Sequence, residues 1–172
     1  MKRILLLALA ILMTLTLVTA CGGDQYRNDL TSAQVVESIK ATIPTEEGYR
    51  QVSDRYISAS MWGEKYTVLL DNITDYCIIV SEKSDSNIDE VGVFHVKDKS
   101  MVQELKTIVE AYVTAQTSHF RNLLVSYNPG ELPKLDEAEV EVCGNYIYYS
   151  ILSEARTETA EQAFENALEL KK

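Results

Sequence analysis

The feature that most constrains the fold is a pair of strand-like runs with a two-residue turn between them. Residues 139–142 alternate glutamate and valine, and residues 146–152 read YIYYSIL. Alternation at a period of two indicates a strand with one buried face. The dipeptide Gly144-Asn145 suits the tight turn of a hairpin. These runs therefore predict a sheet that is mainly antiparallel.

A second strand pair precedes this hairpin. Residues 76–81 (YCIIVS) and 91–96 (VGVFHV) are rich in branched and aromatic side chains, and the polar stretch 82–90 separates them. Such runs are typical of strands. Because the two runs are close in sequence, we expect them to pair as a hairpin with a long loop.

Three helices are predicted around these strands. Residues 31–34 (TSAQ) fit a capping box that opens the first helix, and Pro44 ends it. Ser100 to Gln103 fits a second capping box, which opens a long amphipathic helix that stops at Asn128. A last helix covers residues 155–170. Residues 45–70 are harder to assign, and we expect a helix through their middle.

The predicted fold class is α+β. It has a mainly antiparallel sheet of about four strands in two hairpins. The long amphipathic helix, the N-terminal helix and the C-terminal helix pack on one face of this sheet. The pattern places a single domain at residues 31–172.

The N-terminus has the pattern of an export signal. Two basic residues follow Met1, residues 4–18 are almost all apolar, and Val18, Thr19 and Ala20 precede Cys21. The apolar run is too short to span a bilayer as a helix, but it suits a signal peptide. The segment resembles the lipobox of bacterial lipoprotein precursors, in which the cysteine is lipidated and becomes the new N-terminus. An ordinary signal peptide and an uncleaved anchor are the alternatives.

The lipobox interpretation predicts the organisation of the chain and its location. Residues 1–20 are a signal peptide, and residues 21–30 are the lipidated cysteine and a short tether. Acyl chains such as palmitate on Cys21 would hold the domain at the extracytoplasmic side of the cell membrane. The whole chain has a formal charge of −10. This acidity argues against nucleic acid as a partner and leaves an envelope protein, a peptide or a glycan.

No residue pattern points to catalysis, to a metal or to a cofactor. His95 and His119 lack the spacing of metal ligands, and we read both as structural or surface residues. A Cys-His hydrolase would need Cys77 or Cys143 beside a histidine, which the sequence does not indicate. The same two cysteines are a possible disulfide in an exported protein, and the alternative is two buried thiols.

A cluster of tyrosines is the candidate recognition surface. Tyr146 and Tyr148 share one face of the last predicted strand, and they would form an exposed aromatic strip unless a helix covers them. Tyr127 and Pro129, in the loop after the long helix, are further candidates.

Three stretches of the second half together carry a family resemblance. They are residues 94–98 (FHVKD), residues 127–135 (YNPGELPKL) and residues 144–146 (GNY). The chain resembles an uncharacterised family of Firmicutes lipoproteins, catalogued as a domain of unknown function, DUF4358. Gly130 departs from the family's Tyr-x-Pro-Glu pattern. The resemblance covers about residues 76–168 and implies a Gram-positive source and an envelope location, but no reaction.

The sequence thus favours a non-enzymatic binding or accessory module that is anchored outside the cytoplasm. Two alternatives remain open. One is a cell-envelope hydrolase that uses acidic residues, and the other is a small single-domain solute-binding lipoprotein.

Overall fold

An antiparallel sheet of five strands runs through the centre of the computed structural model, which describes residues 26–170. The strands are β1 (Tyr49–Gln51), β2 (Ile73–Ser81), β3 (Glu90–Val96), β4 (Glu139–Cys143) and β5 (Tyr146–Ile151). Their order across the sheet is β1-β2-β3-β5-β4. The α+β class and both predicted hairpins are confirmed. The additional strand is β1, which has only three residues and no alternating pattern.

Within the described residues, six helices surround the sheet. They are α1 (Ser32–Lys40), α2 (Ala59–Trp62), α3 (Tyr66–Asn72), α4 (Val102–Tyr127), α5 (Pro133–Asp136) and α6 (Glu154–Leu168). Three short 3₁₀ turns accompany them: Asp54–Tyr56, Lys99–Met101 and Pro129–Glu131. Within residues 26–170, no helix combines the length and the apolar character that crossing a bilayer requires.

The helices cover both faces of the sheet, whereas the sequence predicted cover on one face. α1 and α6 pack on one face, and α4 packs on the other with α2 beside it. The reason lies in the two central strands, because every residue of β3 and β5 is buried. A strand that is apolar on both faces needs a layer on each side.

The two predicted capping boxes have different outcomes. At Thr31 the box is present. The Thr31 hydroxyl accepts a hydrogen bond from the backbone N–H of Gln34, and the Gln34 side-chain oxygen accepts one from the backbone N–H of Thr31. At Ser100 the prediction is wrong. The Asp98 carboxylate accepts from the Ser100 amide at 2.8 Å, so a 3₁₀ turn forms first and the regular helix begins at Val102.

The segment 45–70 contains no single central helix, so that expectation is also wrong. Gly63 interrupts it with φ of +73°, a value that L side chains rarely adopt. Trp62 lies immediately before this break, as the last residue of α2. The indole stacks on the Tyr112 ring of α4 with 3.8 Å between the ring centroids, which anchors the irregular segment to the core.

Residues 26–30 lie against the domain, although the sequence assigned them to the tether. The Arg27 amide donates to the Leu168 carbonyl at 2.7 Å, and Asn28 contacts His95 at 2.8 Å. Tyr26 and Leu30 pack against the core below α1. The lipidation residue Cys21, the cleavage residues Val18, Thr19 and Ala20, and the signal segment 1–20 lie outside the described residues.

The packing of β3 on β5 gives the first testable prediction. A Cβ atom at Gly92 would overlap the ring of Tyr149, which lies directly opposite on β5. We therefore expect Gly92→Ala to lower the free energy of unfolding by about 1–3 kcal/mol, as overpacked core variants do. Urea unfolding followed by circular dichroism measures this loss.

Gly130→Ala is the matched control. The nearest atom to a Cβ at Gly130 is Asn128 Oδ1, at 3.6 Å, so this variant should unfold at nearly the same urea concentration as the parent. Equal losses in the two variants would contradict the steric explanation.

Candidate functional site

The candidate site is organised by two consecutive acids where β3 begins. Asp89 has a relative exposure of 1 % and Glu90 of 3 %. Buried carboxylates are rare unless they are paired, because burial disfavours the ionised form. Successive side chains of a strand point to opposite faces, so the two acids reach different sides of the sheet. Each has its own set of partners.

Three tyrosine hydroxyls surround the Glu90 carboxylate. Tyr112 and Tyr149 donate to Oε1 at 2.6 and 2.5 Å, and Tyr56 donates to Oε2 at 2.8 Å. Burial raises the pKa of Glu90, and the hydrogen bonds from the three phenols oppose this rise. The carboxyl group is thus stabilised by neutral donors.

The three phenols come from three different parts of the fold. Tyr56 lies in the first 3₁₀ turn, Tyr112 in the middle of α4, and Tyr149 on β5. Burial raises the pKa of each phenol far above its ordinary value, so each keeps its proton and remains a donor. Glu90 therefore links the irregular segment, the long helix and the sheet.

Asp89 is paired with two cations. Its Oδ1 accepts from Lys134 of α5 at 2.7 Å, and its Oδ2 accepts from Arg156 of α6. Arg156 also donates to the Ile43 carbonyl at 3.0 Å. The Lys134 ammonium also donates to Glu131 Oε2 at 2.6 Å. The Asp89 cluster thus fixes α5 and α6 to the end of the sheet at which the central strand β3 begins.

A cavity of about 220 Å³ opens beside these acids. Its lining includes Arg50 of β1, Tyr56, Glu90 and Phe120 of α4, together with the loop between β2 and β3. The lining combines apolar side chains with polar and charged ones, both acids included. Polar groups that converge on a concave surface are a feature of small-molecule sites. We call it the acid cleft.

The acid cleft lies at the end of the sheet opposite to residue 26. Glu90 begins β3, whereas His95, near its other end, contacts Asn28. Five residue steps along a strand correspond to about 17 Å. A larger depression of about 490 Å³ lies near residue 26, between α1 and the end of α6, and its lining contains no fully buried charged group.

Tyr146 and Tyr148 do not form an exposed surface, and this part of the prediction is corrected. Both have a relative exposure of 0 %. The Tyr146 hydroxyl donates to the Leu30 carbonyl at 2.7 Å, and the Tyr148 ring stacks on Phe164 of α6. The alternative, in which helices cover these rings, is the one that the structure has.

Tyr127 and Pro129 are both exposed, and Tyr127 has a relative exposure of 86 %. They lie at the same end of the sheet as the acid cleft. Asn128, between them, donates to the Ser86 carbonyl of the β2–β3 loop at 2.7 Å. The loop after α4 and the loop beside the cleft therefore form one continuous region.

Cys77 and Cys143 are not joined in a disulfide, so the alternative of two buried thiols is the one that the structure has. Both are buried, and they lie on β2 and β4, which β3 and β5 separate. Three strand spacings are about 14 Å, whereas a disulfide needs Cα atoms within about 7 Å. Burial raises the pKa of the Cys77 thiol to about 11, so it is a poor nucleophile.

The two histidines have different environments. The His95 ring stacks on Tyr146, and its Nδ1 lies 3.7 Å from Asp75 Oδ2. His119 is exposed on α4 and contacts Phe120. In the part of the chain that the structure describes, no group of three histidine, cysteine or acidic residues is placed to hold a metal ion.

Sequence reasoning missed both acids of the site, because it assigned them to a polar loop. One signal was available for Glu90. It precedes a continuous apolar strand and shares its alternation face with Gly92 and Phe94, so a β3 that begins one residue earlier buries it. The partners of Asp89 could not be inferred, because Lys134 and Arg156 are far from it in sequence.

The comparison with family models identifies the family. The model described as a domain of unknown function (DUF4358) matches residues 55–152, which is more than half of the chain. The chain belongs to the DUF4358 family. The match includes Glu90 and the three tyrosines whose hydroxyls donate to it, Tyr56, Tyr112 and Tyr149. No curated protein and no solved structure gives a significant match.

The Asp89 cluster gives the second prediction for this DUF4358 domain. Asp89→Asn removes the fully buried carboxylate that Arg156 and Lys134 share, and it leaves these two partly buried cations, at side-chain exposures of 25 % and 12 %, without that counter-charge. Removing one partner of a buried ion pair costs about 3–5 kcal/mol. We expect a loss of that order in the free energy of unfolding, measured by urea unfolding.

Asp136→Asn provides the control for charge removal. Asp136 pairs with Arg121 at 2.5 Å, but both side chains are largely exposed. Exposed pairs contribute about 0–1 kcal/mol, so this variant should remain close to the parent in stability. If Asp89→Asn and Asp136→Asn lowered the free energy of unfolding equally little, the Asp89 cluster would not be what holds α5 and α6 to the sheet.

Proposed function

We propose that the chain is a membrane-anchored lipoprotein whose domain is a non-enzymatic binding module, with the acid cleft as its binding site. One observation carries the proposal. The cleft opens at one end of the sheet, and the chain leaves the domain towards Cys21 at the other end. An anchored domain with this geometry would present its cleft away from the membrane.

The lipobox pattern supports the anchor. Basic residues, an apolar run and small residues precede Cys21, and acyl chains on its sulfur would supply stable attachment. Five residue steps separate Cys21 from Tyr26, a reach of at most about 18 Å. The short tether favours a domain held close to the membrane, with residues 26–28 facing the lipid and the β2–β3 loop facing outward.

The arrangement of the two acids favours binding over hydrolysis. A hydrolase with paired carboxylates needs one group as an acid and the other as a base or nucleophile, both facing the substrate. Here both acids belong to the lining of the cleft, but the two carboxylate oxygens of Asp89 are held in ion pairs by Lys134 and Arg156. A single carboxyl group held by three phenols offers a polar anchor for a ligand but no such pair.

The anchor is tested by replacing the cysteine that would carry it. In cells fed with labelled palmitate, we expect the full chain to incorporate the label and to enter the detergent phase on phase separation. Cys21→Ser should lose both properties, because a hydroxyl does not replace the thiol in lipidation.

Cys77→Ser is the matched cysteine control. Cys77 is buried within β2, so its replacement should leave labelling and detergent partition unchanged. Label that persists in Cys21→Ser would refute the lipoprotein proposal.

The binding role is tested with a chemically mixed panel of amines, carboxylic acids and sugars. For the full chain in detergent, we expect at least one class to raise the melting temperature, because a ligand that binds only the folded state stabilises it. Ser84→Trp should remove the effect, since Ser84 lines the acid cleft and an indole would fill it.

Ser86→Trp places the same indole on the same loop, at an exposed residue outside the cleft lining. It should retain the stabilisation. A panel without any stabilising compound, or one whose effect survives Ser84→Trp, would contradict a binding module at this cleft.

A further inference from the structure

Among residues 26–170, Glu90 at the acid cleft forms no ion pair. All the hydrogen-bond donors to Glu90 are phenols, and among residues 26–170 no lysine, arginine or histidine nitrogen forms an ion pair with it. Asp89, one residue earlier, has two cations in contact. The fold therefore gives one of the two adjacent acids two ion-pair partners and leaves the other with neutral hydrogen-bond donors alone, at the wall of a cavity.

The Glu90 carboxylate also has acceptor capacity that its partners leave unused. An ionised carboxylate offers about four lone-pair positions. Two phenols donate to Oε1, but only Tyr56 donates to Oε2. Oε2 can thus accept one more hydrogen bond, and a charged donor would form the stronger bond there.

The remaining wall of the cleft suits a small apolar group next to such a donor. Phe120 and Tyr56 contribute aromatic surface, and Val80 and Ile88 contribute aliphatic surface. Aromatic faces attract cations as well as apolar groups. A cavity of about 220 Å³ limits the occupant to a compound of roughly amino-acid size.

Arg50 restricts the ligand further. It belongs to the cleft lining, is exposed, and has its Nη2 3.5 Å from Ser84 Oγ. A guanidinium at this position repels a second positive charge on the ligand and favours a neutral or anionic group. The lining thus opposes polyamines and accepts monoamines and amino acids.

We infer that the acid cleft binds a small primary monoamine, amino acids included, whose ammonium group donates to Oε2 of Glu90. This inference rests on the proposed binding function and names the ligand class for that site. The ammonium ion gives Glu90 the ion-pair partner that it lacks among residues 26–170, and an adjacent cation favours the ionised carboxylate. The apolar part of the ligand lies between Phe120 and Tyr56.

Isosteric pairs of compounds test the inference on the unmodified full chain in detergent. Butylamine is compared with butanol, and L-leucine with leucic acid, by isothermal titration calorimetry near neutral pH. The ammonium compounds should bind at least about tenfold more tightly than their hydroxyl counterparts, since charged hydrogen bonds contribute about 1.5–3 kcal/mol. Putrescine, which carries two ammonium groups, should bind more weakly than butylamine.

Glu90→Gln tests the carboxylate with little change of shape. It should weaken butylamine and L-leucine at least about tenfold and leave the hydroxyl compounds unaffected. Glu82→Gln, an exposed glutamate of the β2–β3 loop, is the matched control and should bind like the parent. If Glu90→Gln does not fold, the isosteric pairs and the Ser84→Trp variant decide the question.

The outcomes separate the two proposals. Amines that bind in preference to alcohols, and that lose affinity in Glu90→Gln or Ser84→Trp, support the inference. Equal binding of the isosteric pairs, or binding of acids or sugars alone, overturns the ligand class but leaves a binding cleft. A chain that binds no compound of the panel overturns both.

Discussion

The burial of two consecutive acids, Asp89 and Glu90, organises the rest of the structure. Each carboxylate collects donors from separate segments, because a buried charge is tolerated only where donors surround it. Asp89 holds α5 and α6 through Lys134 and Arg156. Glu90 holds the 3₁₀ turn, α4 and β5 through three phenols. One peptide link thus connects the helices on both faces of the sheet.

Local rules predicted the parts of the fold that depend on neighbouring residues. The β4–β5 turn follows from Gly144, whose φ of +59° suits glycine, and the start of α1 follows from the Thr31 capping box. The prediction that a capping box at Ser100 opens α4 was wrong for a related reason. Asp98 and Ser100 both offer side-chain caps to nearby amides, and the sequence alone does not decide which of them the backbone uses.

The missed elements depend on contacts between distant residues. β1 is a strand only because Tyr49 and Gln51 meet β2 residues about thirty positions later. Trp62 belongs to a segment without a clear period, but it stacks on Tyr112, fifty positions away. The burial of Tyr146 and Tyr148 also depends on distant residues. A strand that is apolar on both faces indicates that both are covered, but it does not indicate which helix covers each face.

Stability alone does not account for a carboxylate at position 90. Replacing buried ionic groups with well-packed apolar residues is often neutral or stabilising, so a buried acid is weak evidence of a role in folding. Phe94, on the same face of β3, shows that this layer accepts a large apolar side chain. Glu90 instead places a carboxyl group with an open acceptor position at the wall of a cavity that Arg50 also lines, far from residue 26. Besides the hydrogen bonds that join it to Tyr56, Tyr112 and Tyr149, Glu90 thus gives the proposed binding site a polar group at the cavity wall.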